Sequence, residues 1–370
     1  MDSNTLTKRI LSLDPAGLLW GSERALLDFL GELPGYEVAC CLPLSTPLVA
    51  KLQERNIHCF PYFLGNLHQR GFIPKILSLM GLIRAIWEFR PHVLHVNQAG
   101  ASRIALAACR IFRVPCISHV RLLEDVAYLS ALKPNPHYLK HLIAISTPIA
   151  EEISCQPGLN KIPCSMLLDA YRSSSGNMVN PNASKDWDFV CVGRLCESKG
   201  QALLVQALEI LRDREIRPKI LFIGEINAFG KHLQAKVFDA GLSETVEFLG
   251  HSDQVESFLL RSKWLICPSN YEPLGRVLFE AWDFGIPVIA GATSGGAASS
   301  VCASDGGLLF DQWTASSLAV SLEKALAMLP VSRASMAQNG RLWMIQATDP
   351  DRYAISIGRL CDEIIQNSIS

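Results

Sequence analysis

Short, unbroken apolar runs alternate along the chain with longer segments in which apolar residues recur every three or four positions. The run Arg9–Asp14 reads as a buried strand, followed by a turn at Pro15–Gly17 and a helix over Glu23–Leu33. The rhythm then predicts strands at Tyr36–Leu42, His58–Phe63, His92–Val96, Pro115–Val120 and Leu139–Ile145. Helices fall between them at Pro47–Arg55, Ile73–Phe89 and Ser102–Phe112, with one more at Pro148–Ile153. Residues 171–187 are polar and rich in turn formers, as in a linker. The alternation restarts at Phe189–Val192 and continues through Lys219–Ile223, Val246–Leu249, Trp264–Pro268, Pro287–Ala290 and Gly307–Phe310. Helices are predicted at Gln201–Arg212, Phe229–Ala240, Val255–Leu260, Gly275–Asp283 and Ser316–Met328, with a last one near Arg352–Gln366. Strand runs without polar alternation are buried on both faces, so the sheets are parallel and covered by their crossover helices. The expected fold is α/β: two Rossmann-like, doubly wound parallel-sheet domains in tandem. Their expected limits are 1–170 and 188–340, joined by 171–187, with a helical segment 341–370 packing back on the first. Ligands of such sheets sit outside the strand C-termini, which places the expected site in a cleft faced by both domains.

Composition supports two cores and removes several classes of function. The 370 residues are 49% apolar and 19% charged, with a formal net charge of −1. A disordered chain or a coiled coil is excluded, and nothing global suggests a nucleic-acid binder. The twelve cysteines are scattered, without any C-x-x-C, and read as reduced thiols of a cytoplasmic protein. No signal peptide is expected from the polar stretch Met1–Arg9, and no 18-residue window is apolar enough for a membrane span. The charge is uneven, however. Residues 66–121 hold Arg70, Lys75, Arg84, Arg90, Arg103, Arg110, Arg113 and Arg121 against the single acid Glu88. The apolar helix inside this stripe packs on its sheet in the plain reading. In the functional one it lies against an anionic membrane surface.

Two segments carry candidate chemistry. Val192-Gly-Arg-Leu-Cys-Glu-Ser-Lys-Gly200 joins a predicted strand to a predicted helix. Its glycines permit close backbone approach, and Arg194 and Lys199 bring two cations to the C-terminal edge of the sheet. Those cations are either solvated loop charges or phosphate ligands. Neither G-x-G-x-x-G nor G-x-x-x-x-G-K-[ST] occurs at these turns, which argues against a dehydrogenase or an NTPase. In Ser269–Pro287, Glu272 sits on a Pro/Gly loop and Glu280 on the following helix, whose first amides at Gly275–Val277 suit an anion. Eight residues at helical rise span about 12 Å. That is too far for the carboxyl pair of a glycoside hydrolase, about 5 Å when retaining and up to about 9.5 Å when inverting. Two carboxylates gripping hydroxyls at separate places on one extended ligand fit better.

The Glu272–Glu280 stretch resembles the E-x7-E element of the retaining GT-B glycosyltransferases of family 4, and the Gly193–Gly200 loop resembles that family's phosphate loop. Further matches are VEFLGH (Val246–His251), Gly295-Gly296 and GGLLF (Gly306–Phe310). The first half adds GSERALLDFL (Gly21–Leu30), VPCISHVR (Val114–Arg121) and LIAIS (Leu142–Ser146). The resemblance is specific over residues 190–310 and loose in the first 170.

It implies a two-domain enzyme that transfers a hexosyl group, with retention, from a nucleotide-diphosphate sugar to a saccharide or lipid-linked acceptor in surface polysaccharide or glycolipid biosynthesis. It implies that Arg194 and Lys199 hold the diphosphate, that Glu272 and the amides of Leu274, Gly275 and Arg276 hold the sugar and phosphate, and that Glu280 holds the ribose. Gly250 joins the donor-binding set, and Gly21 lets the first-domain backbone approach the β-phosphate. The family's histidine lies six residues after the proline, where this chain has Arg121, with His119 two residues earlier, so either approaches the transferred sugar. Two further departures are Ala297–Ser300, where many members carry an acid, and Leu167-Leu168-Asp169 in place of N-G-x-D. No metal-spaced His/Cys cluster is present, and no metal and no cofactor beyond the donor co-substrate is expected. The expected location is cytoplasmic, peripheral on the inner face of the membrane. A nucleotide-sugar 2-epimerase and a non-catalytic nucleotide-sugar-binding module are the alternatives.

Overall fold

The computed structural model describes residues 7–63, 72–174 and 185–369. The chain divides into two compact units, Met1–Arg172 with Thr348–Ser370, and Ser173–Ala347. The first is built on a seven-stranded parallel sheet of β1 (Lys8–Leu13), β2 (Tyr36–Leu42), β3 (His58–Pro61), β4 (Val93–Val96), β5 (Cys116–Val120), β6 (Leu139–Ala144) and β7 (Cys164–Met166). Its spatial order is β3-β2-β1-β4-β5-β6-β7. The second sheet has six strands, β8 (Trp187–Val192), β9 (Ile220–Ile223), β10 (Val246–Gly250), β11 (Ser262–Cys267), β12 (Val288–Gly291) and β13 (Gly307–Phe310). Their order is β10-β9-β8-β11-β12-β13. Every strand pairing in both sheets is parallel. Both are Rossmann-like, and in both the strand order reverses beside the first strand, β1 or β8.

Apolar strands buried on both faces make the cores, as the unbroken runs imply. In the first unit Ile10, Leu26, Phe29, Cys40, Ile117 and Ile143 pack with Tyr353, Ala354, Ile357 and Cys361. These last four come from the helix Pro350–Ile369, also held by Lys8 Nζ on Asp362 Oδ1 at 2.5 Å. In the second unit Phe189, Leu204, Phe222, Trp264, Ile266 and Phe310 form the corresponding core. The helix Pro330–Ala347 seals that unit's other face. A Cβ at Gly340 would lie 2.4 Å from Trp282 Cδ1, so glycine alone lets this helix close on the tryptophan.

The expected boundary at 341 falls inside Pro330–Ala347, and the return to the first unit begins at Thr348. Of the expected linker, Ser173 and Ser174 are pinned to the buried Asp283, the Ser174 amide donating to its Oδ2 at 2.8 Å. Residues 175–184 lie outside the described residues. The helix Leu123–Leu132 is absent from the pattern-based reading. Its apolar residues do not share one face, since Val126 and Leu129 are buried while Leu123 is exposed. No helix among the described residues is long and apolar enough to cross a membrane.

Candidate functional sites at the strand ends

At the C-terminal edge of the second sheet two loops are locked together by their backbones. The loop after β8 begins at Gly193, with φ +147°, and ends at Gly200, with φ +70°. A Cβ on Gly200 would stand 2.0 Å from the Pro268 carbonyl oxygen, so only glycine lets this loop touch the one after β11. The Asn270 amide donates to the Ser198 carbonyl at 3.2 Å across the same contact. Gln201 Nε2 donates to the Arg194 carbonyl at 2.9 Å and Asn227 Nδ2 to the Leu195 carbonyl at 3.0 Å. This fixes the backbone from which the exposed Arg194 side chain projects.

Lys199 and Glu272 meet here. Lys199 Nζ lies 2.5 Å from Glu272 Oε2, which also accepts from Ser269 Oγ at 3.2 Å. Burial opposes the lysine's charge, but the adjacent carboxylate outweighs it and raises the ammonium above its ordinary range. The Glu272 backbone is held as well, its amide donating to Ser294 O at 3.0 Å and its carbonyl accepting from the Ala297 amide at 3.2 Å. Gly275 caps the helix Arg276–Asp283 in a left-handed conformation, and Glu280 lies one turn further in. Among the described residues, Gln201 Oε1 and Ser294 Oγ are buried without a hydrogen-bond partner beside this cluster.

The first unit holds a larger buried polar network. Asp14 follows β1, Asn97 follows β4 and Arg121 follows β5. Asp14 accepts from the Ala16 and Gly17 amides at 3.0 and 2.7 Å and from Asn97 Nδ2 at 2.7 Å. Arg121 donates through Nε and one terminal nitrogen to Asn97 O and Oδ1, each at 2.9 Å, and through the other to Asp169. Burial works against the guanidinium charge, yet Asp169 more than offsets it and the group is held above its ordinary range. Behind it, Ser12 Oγ, His95 and His119 form a chain with 2.9 and 2.7 Å links, ending on the Tyr353 hydroxyl. Burial, and then Arg121, pushes His95 down to about 3 and His119 well below the imidazole range, so both rings are neutral. Each neutral ring has one N–H, so the protons along this chain all point the same way.

Residues 177–343 match the sequence profile of the glycosyl transferases group 1. That span contains both locked loops and the Lys199–Glu272 pair. Residues 177–343 belong to the glycosyl transferases group 1 family. The lipopolysaccharide core biosynthesis glycosyltransferase LpsD of Rhizobium meliloti is 24% identical over 235 residues, 61% of this chain and 63% of that protein. The capsular polysaccharide biosynthesis glycosyltransferase CapH of Staphylococcus aureus is 29% identical over 183 residues, 47% of this chain and 52% of that protein. The chain thus spans about half to two thirds of these relatives. HepE of Anabaena, solved in complex with UDP and glucose, superposes with a TM-score of 0.76 at 19% identity over 96% of this chain and 99% of its own. The architecture is the GT-B fold.

The glycosyltransferase domain brings together Arg194, Lys199, Glu272, Leu274, Gly275 and Arg276 on adjoining loops. It also contains Gly250, at the end of β10 with φ +85°, and Glu280 on its helix. Gly21 opens the helix Gly21–Leu30 of the other unit. His119 and Arg121 lie inside that unit's sheet, with both histidine nitrogens and all three guanidinium nitrogens on interior partners. The sequence reading missed Asp14, Glu23, Asn97 and Gln98. Their one local signal is polar character at the end of a buried strand or the start of the next helix. Asp169, noted only as a departure, proves to be the counter-ion of Arg121.

Proposed function

We propose that this chain is a retaining hexosyltransferase that moves a sugar from a nucleotide-diphosphate donor to a glycan or lipid-linked acceptor in surface polysaccharide or glycolipid synthesis. The observation that carries the reading is the Lys199–Glu272 pair on two mutually locked loops of the glycosyltransferase domain. On donor binding Lys199 exchanges Glu272 for the diphosphate, joined by Arg194, and Glu272 turns to the sugar hydroxyls. The amides of Leu274, Gly275 and Arg276 and the turn at Gly250 line the donor, and Glu280 takes the ribose. Gln201 and Ser294 supply further polar atoms whose hydrogen-bonding capacity a bound donor would meet. As the bond from the anomeric carbon to the diphosphate breaks, negative charge accumulates on the leaving group, and the two fixed cations stabilise it without a divalent ion. His119 and Arg121 then act by holding the first unit's strand ends in place. The names of LpsD and CapH support a surface glycan as the product class, and the UDP and glucose of HepE support a nucleotide-sugar donor.

A thermal-shift screen of nucleoside diphosphates and their sugars should find a stabilising ligand, since binding adds RT ln(1 + [L]/Kd). With that ligand, Arg194→Ala and Lys199→Ala should each lower transfer at least about a hundredfold, about 2–4 kcal/mol per contact, with melting unchanged. Epimerised free sugar without transfer would identify the epimerase alternative, and binding without turnover the non-catalytic one.

The first unit favours peripheral membrane contact as a companion reading. On the helix Phe72–Phe89, Ile73 is 70% exposed, Met80 59% and Trp87 66%, next to Lys75 and Arg84. Arg70 of the basic stripe lies outside the described residues. Apolar side chains interleaved with cations suit an anionic lipid surface, each cation contributing about 1 kcal/mol at low salt. Flotation with anionic vesicles at low salt should carry the protein upward and fail after Lys75, Arg84 and Arg90 are changed to Glu. A wild-type protein that stays at the bottom refutes the contact.

A further inference from the structure

The two oxygens of the Glu272 carboxylate are not equivalent. Oε2 takes both the Lys199 ammonium at 2.5 Å and the Ser269 hydroxyl at 3.2 Å, while Oε1 accepts no hydrogen bond among the described residues. The side chain is 13% exposed, enough for a ligand to reach it and too little for water to hold it in place. The backbone beneath it cannot follow a ligand. Its amide and carbonyl are tied to Ser294 and Ala297, and the residue pairs with Gly295 as parallel strands pair. Any reorientation of Glu272 is therefore a rotation of its side chain about whatever holds Oε2. Ser269 offers a fixed hold. It lies two residues past β11 and is 1% exposed, on backbone clamped on either side. Before it the Pro268 carbonyl accepts from Trp313 Nε1 at 2.9 Å, and after it the Asn270 amide reaches the Ser198 carbonyl at 3.2 Å.

The serine hydroxyl has one proton to give, and its surroundings send that proton to the carboxylate. On its other side Cys267 Sγ lies 3.7 Å from Ser269 Oγ. Burial, and then the charge of Glu272, pushes the Cys267 thiol up to about 11. The sulfur therefore keeps its proton at neutral pH and can donate it to the Ser269 oxygen. The chain runs one way, from Cys267 Sγ–H to Ser269 Oγ and from Ser269 Oγ–H to Glu272 Oε2. In the free protein Lys199 dominates the grip on Oε2, because its hydrogen bond joins two full charges. An anion that draws Lys199 away removes the stronger hold and leaves the serine. A short side chain on clamped backbone then keeps Oε2 where it was, with Oε1 uncommitted.

We infer that Ser269 is a positioning residue of the transfer site: when the donor diphosphate takes Lys199, the Ser269 hydroxyl keeps Oε2 of Glu272 and leaves Oε1 for a hydroxyl of the transferred sugar. This assignment rests on the transferase reading of Lys199 and Glu272. Calorimetry on the full-length chain tests it with bare UDP and GDP against UDP-glucose, UDP-galactose and GDP-mannose. Ser269→Ala removes a single oxygen and should melt with the wild type, since Lys199 still holds Glu272 in the free protein. For the nucleotide sugars that bind the wild type, Ser269→Ala should raise the Kd about tenfold or more, the weight of a hydrogen bond to a charged group, while the Kd of the bare diphosphate stays within about twofold. In a Glu272→Ala background the same substitution should change neither, because the serine acts only through that carboxylate. An early melt, an equal loss for bare diphosphate and nucleotide sugar, no loss for the nucleotide sugar, or a loss that survives in Glu272→Ala would each overturn the inference and leave the transferase reading standing. A wild-type chain that binds none of these compounds, or a Glu272→Ala chain that binds the nucleotide sugars as the wild type does, would instead remove the reading, and the inference would fall with it.

Discussion

Replacing Asp169 with alanine should destabilise the first unit selectively. The Arg121 and Asp169 side chains are 8% and 3% exposed, so neither charge is screened by water. Deleting the carboxylate leaves the guanidinium desolvated and removes its strongest attraction, a change worth about 3–5 kcal/mol. The two bonds to Asn97 survive, and Glu23 still attracts the cation, which favours the lower end, about 3 kcal/mol. Amide hydrogen exchange reads this unit by unit. The Leu94 amide bonds the Pro115 carbonyl in the first sheet, and the Leu265 amide bonds the Pro287 carbonyl in the second. At 1.4 kcal/mol per tenfold, protection at Leu94 should fall by roughly a hundredfold or more while Leu265 stays unchanged. Arg121→Met combined with Asp169→Leu should recover most of the loss, because an apolar pair removes the stranded charge. A fall of less than tenfold at Leu94, or an equal fall at Leu265, would refute this account of the pair.

Glu23 gives a pH signature. Its folded value near 7 exceeds the ordinary 4.5, so its contribution is complete below about pH 4.5 and is lost as pH rises through 7. The wild-type chain should lose about 3 kcal/mol across that window by urea titration, and Glu23→Gln should be flat there and more stable at pH 8. His95 acts in the opposite sense: held near 3 by burial, it contributes above pH 6.5 and the contribution is lost as pH falls toward 3, so His95→Gln should blunt acid unfolding. Gly200→Ala combines a φ of +70° with the contact to Pro268, so melting temperature and donor affinity should fall together. A variant that melts normally would show that the two loops can separate. Calorimetry should find bare nucleoside diphosphate binding weakened by Glu280→Gln and barely altered by Glu272→Gln. The reverse order would exchange the ribose and sugar assignments.

Much of this architecture is legible in the chain because local rules govern it. Runs such as Ile220–Ile223 are short and wholly apolar, as a strand buried on both faces requires, and Gly193, Gly200 and Gly275 mark the positive-φ turns at which the backbone changes course. The Arg194, Lys199 and Glu272 loops follow directly, since each lies between a strand and the next helix. The polar network of the first unit is another matter. Arg121 and Asp169 are 48 residues apart, and His119 and Tyr353 are 234 apart. No periodicity links them, and only the strand order β1-β4-β5 sets Asp14, Asn97 and Arg121 side by side. For the same reason one helical segment, 341–370, is expected where the chain has the end of the helix Pro330–Ala347, most of which goes unforeseen, and the whole of Pro350–Ile369. What separates them is which core each covers, and that is settled by partners such as Trp282 and Phe29 far away in sequence.

The return of the helix Pro350–Ile369 has a consequence for how the protein is made. The first unit's core includes Tyr353, Ile357 and Cys361, all translated after the entire glycosyltransferase domain. When a ribosome has finished residue 172, the first sheet has all seven strands but not the helix that covers Phe29 or the hydroxyl that ends the histidine chain. The second unit, by contrast, is contiguous and can close as soon as it emerges. The unit made first is therefore completed last, and its exposed apolar face must be tolerated for the whole time the ribosome takes to read the second.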